Sequence, residues 1–190
     1  MSKSPYALKI LSGVCKGLSL RIPPKEITRP TKAIVRTSLF NVLRPQIASR
    51  VFIEVFGGSG SVGLEALSCG ACEALFFEKD PLVFEVLQTN IDTYQRRDSA
   101  RARAIQGDGL ILLQNYLTEL CMPYILYFDP PFGGLLETSL RCLECLDVLK
   151  DTLAIFEHAS SIPMPRNLAS FSIIKQTRFG RTSLSYYSKS

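Results

Sequence analysis

Two groups of residues have the types and spacing needed for chemistry on a nucleotide-like ligand. The first is Gly58-x-Gly60-x-x-Gly63, which directly follows the apolar run Val51–Phe56. Glycines at this spacing let the backbone turn tightly and approach a ligand, and the N–H groups at the start of the next helix can donate to polar ligand atoms. Glu78 comes about 20 residues later, where an acid accepts hydrogen bonds from ribose hydroxyls. The pattern predicts NAD, FAD or S-adenosylmethionine as ligand.

The second group is Asp129-Pro130-Pro131-Phe132, which ends the apolar run Tyr124–Phe128. Two prolines fix their own φ angles and restrict the residues before them, so the turn is stiff and its carbonyls have set directions. A carboxylate and a prolyl carbonyl can accept the two N–H bonds of an exocyclic amino group, and an aromatic ring can stack on a base that has left its helix. The tetrapeptide therefore predicts methylation of a base amino group.

The elements that would position these groups alternate between strand and helix patterns from Val51 onward. Such alternation predicts an α/β fold of the Rossmann-like kind, with a mostly parallel sheet and helices on both faces. The pattern at the C-terminal end of the sequence predicts an antiparallel hairpin at the sheet edge, formed by Phe171–Gln176 and Ser183–Tyr187. The predicted strands are Val51–Phe56, Ala74–Glu78, Ala102–Gln106, Tyr124–Phe128 and Leu153–Glu157, and the predicted helices Ser61–Ser68, Pro81–Tyr94, Gly109–Leu120 and Leu136–Leu149.

The N-terminal part of the chain has a different pattern. Residues 7–22 predict a small β-hairpin, and Thr31 can cap a helix that Pro45 ends. The apolar positions of that helix recur at helical spacing: Ile34, Val35, Leu39, Val42 and Leu43. We expect a basic hairpin extension over residues 1–30 and one larger domain over residues 31–190.

Charge is concentrated at this N-terminus. Ten of the first 50 residues are Lys or Arg and one is acidic, whereas the rest of the chain has more acids than bases. A basic segment suits a polyanion such as RNA, although a solvated basic face is the simpler alternative. No apolar run is long enough to span a membrane and no secretion signal is evident, so we expect a cytoplasmic protein.

The cysteines and the single histidine have less informative surroundings. The pairs Cys69/Cys72 and Cys142/Cys145 have spacing that occurs in zinc sites, but neither lies in a glycine-rich knuckle, so we expect no metal. His158 follows an apolar strand pattern with no nucleophile close in sequence, and we expect a structural role.

With these motifs the chain resembles the RsmD family of 16S ribosomal RNA guanine-N2 methyltransferases, nearly from end to end. Asp129–Phe132 is similar to the Asn/Asp-Pro-Pro-Tyr/Phe motif of amino-methyltransferases. The other matching segments are Ile10–Gly17, Thr28-Arg29-Pro30-Thr31, Val35-Arg36, Leu39-Phe40-Asn41, Gly63–Ser68 and Phe77–Asp80. The Thr-Arg-Pro-Thr block is the most specific to that family.

The resemblance implies methyl transfer from S-adenosylmethionine to N2 of a guanine in small-subunit ribosomal RNA. It implies Asp129, Pro130, Pro131 and Phe132 at the acceptor, and a partner that is ribosomal RNA or an assembling small subunit. The cofactor residues implied are Glu54, Gly57, Gly58, Ser59, Gly60, Glu78, Lys79, Asp108 and Gly109. The RNA-binding residues implied are Lys16, Arg21, Arg29, Lys32 and Arg36. We expect a monomer without membrane contact.

Four residues depart from the family pattern. Glu54 stands where Asp is usual, Gly57 where Ala is usual, Phe132 where Tyr is usual, and Ile34 where a basic residue is usual. The first bears on the amino-acid end of the cofactor, and the last weakens one RNA contact that the resemblance implies.

Three alternatives remain open at this point. The acceptor can be adenine N6 of DNA or RNA, or a glutamine amide of a protein, because related tetrapeptides serve these groups. A nicotinamide-dependent oxidoreductase would use the glycines and Glu78 but leaves the two prolines unexplained. A non-catalytic RNA-binding protein would use the basic N-terminus alone.

Overall fold

The computed structural model describes residues 8–23, 32–118, 122–131 and 134–189. Its centre is an eight-stranded sheet, and a two-stranded hairpin lies beside it. The strands are β1 (Leu8–Lys9), β2 (Ser19–Leu20), β3 (Val51–Glu54), β4 (Glu73–Glu78), β5 (Arg101–Gln106), β6 (Tyr124–Phe128), β7 (Leu153–Ala159), β8 (Asn167–Leu168), β9 (Phe171–Phe179) and β10 (Thr182–Lys189). The helices are α1 (Ala33–Leu43), α2 (Ser61–Ser68), α3 (Pro81–Gln95), α4 (Gly109–Leu117) and α5 (Leu135–Cys145).

The predicted α/β alternation is confirmed, and its strand order creates a ligand crevice. The order across the large sheet is β5-β4-β3-β6-β7-β10-β9-β8, with β3 to β7 parallel. The chain builds outward from β3 through β4 to β5 and then returns to the other side of β3 with β6. Ligands of such sheets bind at the carboxyl ends of the two strands where the order reverses. Here those strands are β3 and β6, which precede the two sequence motifs.

The C-terminal hairpin is confirmed and is longer than predicted. β10 pairs antiparallel with both β7 and β9, so β10 lies inside the sheet. The outermost strand is β8, which pairs with the start of β9 and was not predicted. With only two residues, β8 is too short to show an alternating pattern.

Helix α5 ends at Cys145, earlier than the predicted Leu149. Side chains of neighbouring elements accept hydrogen bonds from backbone N–H groups that would donate within the helix if it were longer. Gln114 Oε1 accepts from Asp147 N at 3.1 Å, and Tyr124 Oη accepts from Leu149 N at 3.1 Å. The apolar pattern continues past the helix because Val148 is buried in the loop.

The N-terminal hairpin packs into the main core. Ile10, Cys15 and Leu20 are fully buried in the same cluster as residues of β3 and β6. Ser68, the last residue of α2, accepts a hydrogen bond at Oγ from Cys15 N at 2.9 Å and at its carbonyl from Val14 N at 2.9 Å. The division predicted at residue 30 lies outside the described residues and stays a prediction, but the hairpin shares the core of the larger domain.

Helix α1 connects the hairpin to the sheet. It begins after Lys32, whose side chain makes no capping bond; the predicted cap Thr31 lies outside the described residues. Val35, Leu39 and Leu43 are buried as predicted, whereas Ile34 is exposed. Within the described ranges no helix has the length and apolar character required to cross a bilayer.

Candidate active site at the carboxyl edge of the sheet

Four carboxylates follow or end adjacent parallel strands at one edge of the sheet. Asp108 follows β5, Glu78 ends β4, Glu54 ends β3 and Asp129 follows β6. Glu54 pairs in register with Phe76 on one side and Tyr127 on the other, each two residues before the next acid. Asp129 and Glu78 are both close enough to raise the pKa of Glu54 electrostatically. The structure therefore brings these predicted residues together.

The glycine-rich loop makes a tight turn between β3 and α2. Gly57 N donates to Phe77 O at 2.6 Å, and Gly60 N donates to Gly57 O at 2.7 Å. Gly60 has a φ of 72° and precedes the first helical residue, a conformation that side chains with Cβ rarely adopt. A Cβ at Gly63 would lie 2.3 Å from the Phe76 ring, so this glycine lets α2 pack directly on β4.

Gly57 also suits its surroundings, although the family usually has Ala there. An added Cβ would lie 3.0 Å from both Phe77 O and Leu87 Cδ2. Since these contacts are tighter than ordinary van der Waals contacts, an alanine would require the Leu87 side chain and the Phe77 carbonyl to move by a few tenths of an ångström. The departure from the family pattern is therefore matched to local packing.

Glu54 is buried beneath this loop. Its Oε2 accepts from Gly63 N at 2.8 Å, which ties the end of β3 to the first turn of α2. Burial raises the pKa of Glu54 well above its ordinary value, Asp129 adds to that shift, and the Gly63 hydrogen bond opposes it. The bond that the structure shows holds the helix start; direct contact of Glu54 with a cofactor stays a prediction.

Glu78 lies at the mouth of the loop and is half-buried. Its Oε2 accepts from Gly58 N at 2.8 Å, and its Oε1 accepts from Asp80 N at 2.8 Å. Burial raises the pKa of Glu78, and these backbone hydrogen bonds oppose the shift. The carboxylate is thus held in one orientation, and because each oxygen has a second lone pair it can still accept from a ligand hydroxyl.

Asp108 stands at the start of α4. Its Oδ1 accepts from Leu110 N at 3.1 Å, and its Oδ2 forms an ion pair with Lys79 Nζ at 3.1 Å. Lys79 is largely exposed, so this pair contributes little to stability. Gly109 is buried and a Cβ there would lie 2.2 Å from Val55 O. Gly109 therefore permits close packing of α4 on the end of β3.

The Asp129-Pro130-Pro131 turn leaves the sheet beside the reversal point. Asp129 and Pro130 are half-buried, and Pro131 is exposed. The preceding Tyr127 is fully buried and donates from Oη to Glu157 Oε2 on β7 at 2.7 Å. Phe132 lies outside the described residues, so its predicted stacking role stays a prediction.

Three of the predicted RNA-binding residues are on the surface. Lys16, Arg21 and Lys32 are exposed around the hairpin and the start of α1. Arg29 lies outside the described residues. These placements leave the prediction open for Lys16, Arg21 and Lys32.

Arg36, predicted to face RNA or to help close the site, is buried and does not face solvent. Only 1% of its side chain is exposed, and its guanidinium lies between α1, α2 and the hairpin. Nη2 donates to Lys9 O at 2.8 Å, and Nη1 lies 3.3 Å from Glu65 Oε2. Ser12 Oγ donates to the other carboxylate oxygen of Glu65 at 2.8 Å. Arg36 therefore binds the N-terminal hairpin to the body of the protein.

Asn90 is a residue that the sequence analysis missed. Its side chain is buried, and Nδ2 donates to Ser59 O at 2.8 Å and to Arg21 O at 2.9 Å. Its Oδ1 accepts from Arg21 N at 2.7 Å. Asn90 thus connects the segment after β2 to the glycine-rich loop. The signal was a polar residue on the apolar face of α3, between Leu87 and Tyr94 at helical spacing.

His158 is buried within the sheet. Its Nε2 lies 2.8 Å from Ser185 Oγ and its Nδ1 lies 2.9 Å from Ala159 O. Burial lowers its pKa, which favours the neutral ring. Ser185 is fully buried, so this pair cannot meet a substrate and the contact is structural.

The cysteines of the two predicted pairs make separate contacts. Cys69 Sγ lies 3.1 Å from Ser12 Oγ, and Cys142 Sγ lies 3.6 Å from Leu110 O. In the part of the chain that the structure describes, no three His, Cys, Asp or Glu side chains are grouped as metal ligands.

The sequence of this chain matches one family of known proteins. A family model described as conserved hypothetical protein 95 matches residues 8–188. An Escherichia coli protein named ribosomal RNA small subunit methyltransferase D is 31% identical over 185 residues, which cover 96% of this chain and 90% of that protein.

Solved structures agree with the sequence comparisons. A putative methyltransferase from Escherichia coli, yhhF, superposes with a TM-score of 0.81 at 28% identity, covering 97% of this chain and 98% of that one. An RNA methyltransferase from Salinibacter ruber, solved in complex with S-adenosyl-L-homocysteine, has a TM-score of 0.61 at 14% identity, covering 85% and 94%. The second likeness extends only to the fold.

Proposed function

The chain belongs to the RsmD family, and from that premise we propose that it methylates the exocyclic N2 of a guanine in small-subunit ribosomal RNA. The methyl donor is S-adenosylmethionine. The observation that carries the proposal is the Asp129-Pro130-Pro131 turn at the reversal point of the sheet, beside a glycine-rich loop and Glu78. The name of the Escherichia coli relative supports ribosomal RNA of the small subunit as the substrate class.

The loop and its neighbours fit this cofactor. Among the described residues, nothing lies within 4 Å of a Cβ built at Gly58, so this part of the chain leaves space beside the loop. Glu78, fixed by the N–H groups of Gly58 and Asp80, presents a half-exposed carboxylate to that space. A fixed carboxylate is the group that a ribose diol requires, because it can accept from both hydroxyls.

The order of the acids along the sheet edge matches the order of chemical groups in the cofactor. Asp108 after β5 suits the adenine amino group, Glu78 at the end of β4 suits the ribose, and Asp129 after β6 suits the acceptor of the methyl group. Adjacent strands are about 4.8 Å apart, so Asp108 and Asp129 are separated by roughly 14 Å across three strand intervals. This separation supports a cofactor that extends along the sheet edge, with its adenine near Asp108 and the acceptor amino group near Asp129.

S-adenosylmethionine supplies an activated methyl group when bound. Asp129 and a prolyl carbonyl hold the two N–H bonds of the guanine amino group, so that its nitrogen faces the methyl carbon. Rigid alignment of this kind converts a two-body encounter into an oriented one. The amino proton becomes acidic only as the new bond forms, and Asp129 is positioned to accept it. No metal and no covalent enzyme intermediate are part of the proposal.

Exposed basic residues at the N-terminus supply the RNA-binding surface. Among the described residues, the proposed RNA contacts are the exposed side chains of Lys16, Arg21 and Lys32. Their charges would replace counterions condensed on the RNA phosphates, so we expect RNA affinity to fall steeply with salt.

Nucleoside analysis of the methylated product tests the acceptor. The purified protein is incubated with S-adenosylmethionine and either protein-free or partly assembled small-subunit RNA, and the RNA is digested for mass spectrometry. We expect N2-methylguanosine. N6-methyladenosine, or methyl groups found only in protein, would contradict the guanine proposal and favour an alternative acceptor.

The variant Asp129→Ala tests the site in the same assay. Without the carboxylate the amino group is free to turn away, and misplacement by about 1 Å costs on the order of a hundredfold in rate. Cofactor affinity measured by calorimetry should stay close to that of the parent. Phe132→Tyr should keep activity because it retains an aromatic face, whereas Phe132→Ala should lose it. Parental turnover in Asp129→Ala would contradict the assignment of the tetrapeptide.

A further inference from the structure

A pocket lies between the N-terminal hairpin and α1, away from the glycine-rich loop. Its volume is about 360 Å³. One wall is the hairpin turn and the other is the second half of α1. The lining residues are Leu11, Ser12, Gly13, Lys16, Thr37, Phe40, Asn41 and Arg44.

The pocket is near the edge of the sheet opposite the carboxylates. Helix α2 begins at the glycine-rich loop and runs back towards the amino ends of the strands, and the hairpin turn is bonded to its last residue, Ser68. Helix α1 likewise ends shortly before β3 begins. Asn41 is eight residues after the start of α1, or about 12 Å along the helix axis. The pocket is therefore separate from the proposed cofactor site.

The pocket wall has a fixed shape on the hairpin side. Val14 N and Cys15 N both donate to Ser68, at its carbonyl and its Oγ respectively, each at 2.9 Å. Ser68 Oγ in turn donates to Ser12 O at 2.6 Å. Gly13 lies so close to α2 that an added Cβ would be 1.7 Å from Ser68 O. The turn that carries Lys16 is thus held against the protein body.

The charged lining residues are both positive. Lys16 and Arg44 are exposed, and none of the described lining residues is acidic. The carboxylate behind the wall is Glu65, which Ser12 contacts at 2.8 Å. Glu65 is buried and paired with Arg36, so its charge is offset within the protein. The open face of the pocket consequently has a positive potential.

This lining suits a phosphate with an attached apolar group. Arg presents a fork of N–H donors that matches phosphate oxygens, and Lys adds a point charge. Thr37 and Asn41 add uncharged hydrogen-bond donors on the same wall. Half-buried Leu11 forms the accessible apolar part of the lining, and Phe40 is buried behind it in the core. The volume lies within the range of pockets that hold small organic ligands, so it exceeds what a bare oxyanion needs.

We propose that this pocket binds one backbone phosphate of the RNA substrate, with the attached sugar against Leu11. The proposal rests on the proposed function and names an RNA contact that lies apart from the target base. Lys16 and Arg44 hold the phosphate oxygens, and Thr37 and Asn41 complete the contact. Because this phosphate contact lies apart from the cofactor site, its loss should weaken RNA binding and leave S-adenosylmethionine binding unchanged.

RNA binding measured across a salt series tests the pocket. The double variant Lys16→Ala with Arg44→Ala is compared with Lys175→Ala with Arg181→Ala, which removes the same charge from the exposed C-terminal hairpin. We expect Kd to rise about tenfold in the first variant, in line with loss of a charged hydrogen bond. Its log–log salt slope should fall by roughly 0.7–0.9, the value for one phosphate. The control should stay near the parent in both quantities.

Equal effects in the two double variants would overturn the proposal, because the loss of RNA affinity would then come from the lower total charge of the protein and not from the pocket. Calorimetry with S-adenosylmethionine and the methylation assay on the parent accompany the series. Failure of the parent in those two assays refutes the proposed function. A parent that methylates RNA, with no specific loss in the pocket variant, refutes the pocket alone.

Chemical modification of the unaltered protein provides a second readout that does not depend on a variant folding. Lys16 and Lys175 are acetylated with and without RNA, and the extent at each site is measured by mass spectrometry. We expect RNA to protect Lys16 and to leave Lys175 reactive, and inorganic phosphate at the same phosphate concentration to protect Lys16 far less. Equal protection by inorganic phosphate would show an anion site without RNA specificity and would contradict the proposal.

Discussion

Replacement of Arg36 by Met should destabilise the protein strongly and leave the intrinsic RNA affinity of the folded protein unchanged. Met fills most of the space of the Arg side chain but removes its charge and donors. Glu65 would then be a buried carboxylate whose remaining side-chain partner in the described structure is Ser12. The Lys9 carbonyl would also lose its 2.8 Å hydrogen bond.

The expected loss follows from this burial. Arg36 is 1% exposed and Glu65 is 0% exposed, so water cannot replace the lost partner. Removal of one member of a buried ion pair costs about 3–5 kcal/mol. For a chain of this size each kcal/mol lowers Tm by about 2–4 °C, so the decrease should be roughly 6–20 °C.

The loss should depend on pH in a set direction. Burial raises the pKa of Glu65, and Arg36 opposes that shift. Without Arg36 the pKa of Glu65 rises further in the folded state than in the unfolded state. A raised carboxyl pKa means that stability falls as pH rises above the ordinary glutamate value. Arg36→Met should therefore be closer to the parent near pH 5 than near pH 7.5.

Thermal unfolding followed by circular dichroism, with RNA binding measured at a temperature where both proteins are folded, provides the assay. Arg44→Ala, at the C-cap of the same helix, is the matched control, with an expected small change in Tm and a loss of RNA affinity. Adding Glu65→Leu to Arg36→Met should recover much of the stability, because no buried charge remains. A variant Arg36→Met with parental Tm and weakened RNA binding would refute the assignment of Arg36 to the interior.

Three other predictions concern the loop and its supports. Glu78→Ala should weaken S-adenosylmethionine binding by at least about 1.5 kcal/mol, and unchanged affinity by calorimetry would remove Glu78 from the site. Asn90→Ala should lower cofactor affinity as well as Tm, since it frees Ser59 from Arg21; a change in Tm alone would leave Asn90 with a structural role. Because the pKa of Glu54 is raised, the stability of the parent should fall as pH rises from the ordinary glutamate pKa towards that raised pKa. Glu54→Gln should abolish this part of the pH dependence. An unaltered pH profile of unfolding would contradict the raised pKa.

The sheet and the carboxylate edge could be predicted because their signals are local. Glycine spacing, a strand before it and an acid at the end of the next strand together specify one edge of a parallel sheet. The Asp129 turn was likewise visible because an apolar strand led directly into it. What the sequence could not specify was contact between distant segments, such as the hydrogen bonds that Asn90 donates to the carbonyls of Arg21 and Ser59.

Arg36 shows why a charged residue was misplaced. Positively charged residues are usually exposed, and the basic N-terminus favoured an RNA contact. Yet Arg36 shares the buried face of α1 with Leu39, Phe40 and Leu43 at helical spacing, while the apolar Ile34 is exposed. Its partner Glu65 is on α2, 29 residues later, so the pair becomes evident only when α1 and α2 are in contact.

Methyl transfer to ribosomal RNA from cells that lack this protein tests the central claim most directly. Small subunits from such cells are incubated with the purified protein and tritiated S-adenosylmethionine, and the label is mapped to a nucleotide. Subunits from parental cells, which are already methylated, serve as the control. We expect label at one guanine N2 in the deficient subunits and almost none in the parental ones. Equal labelling of both, or label at adenine or in protein, would contradict it.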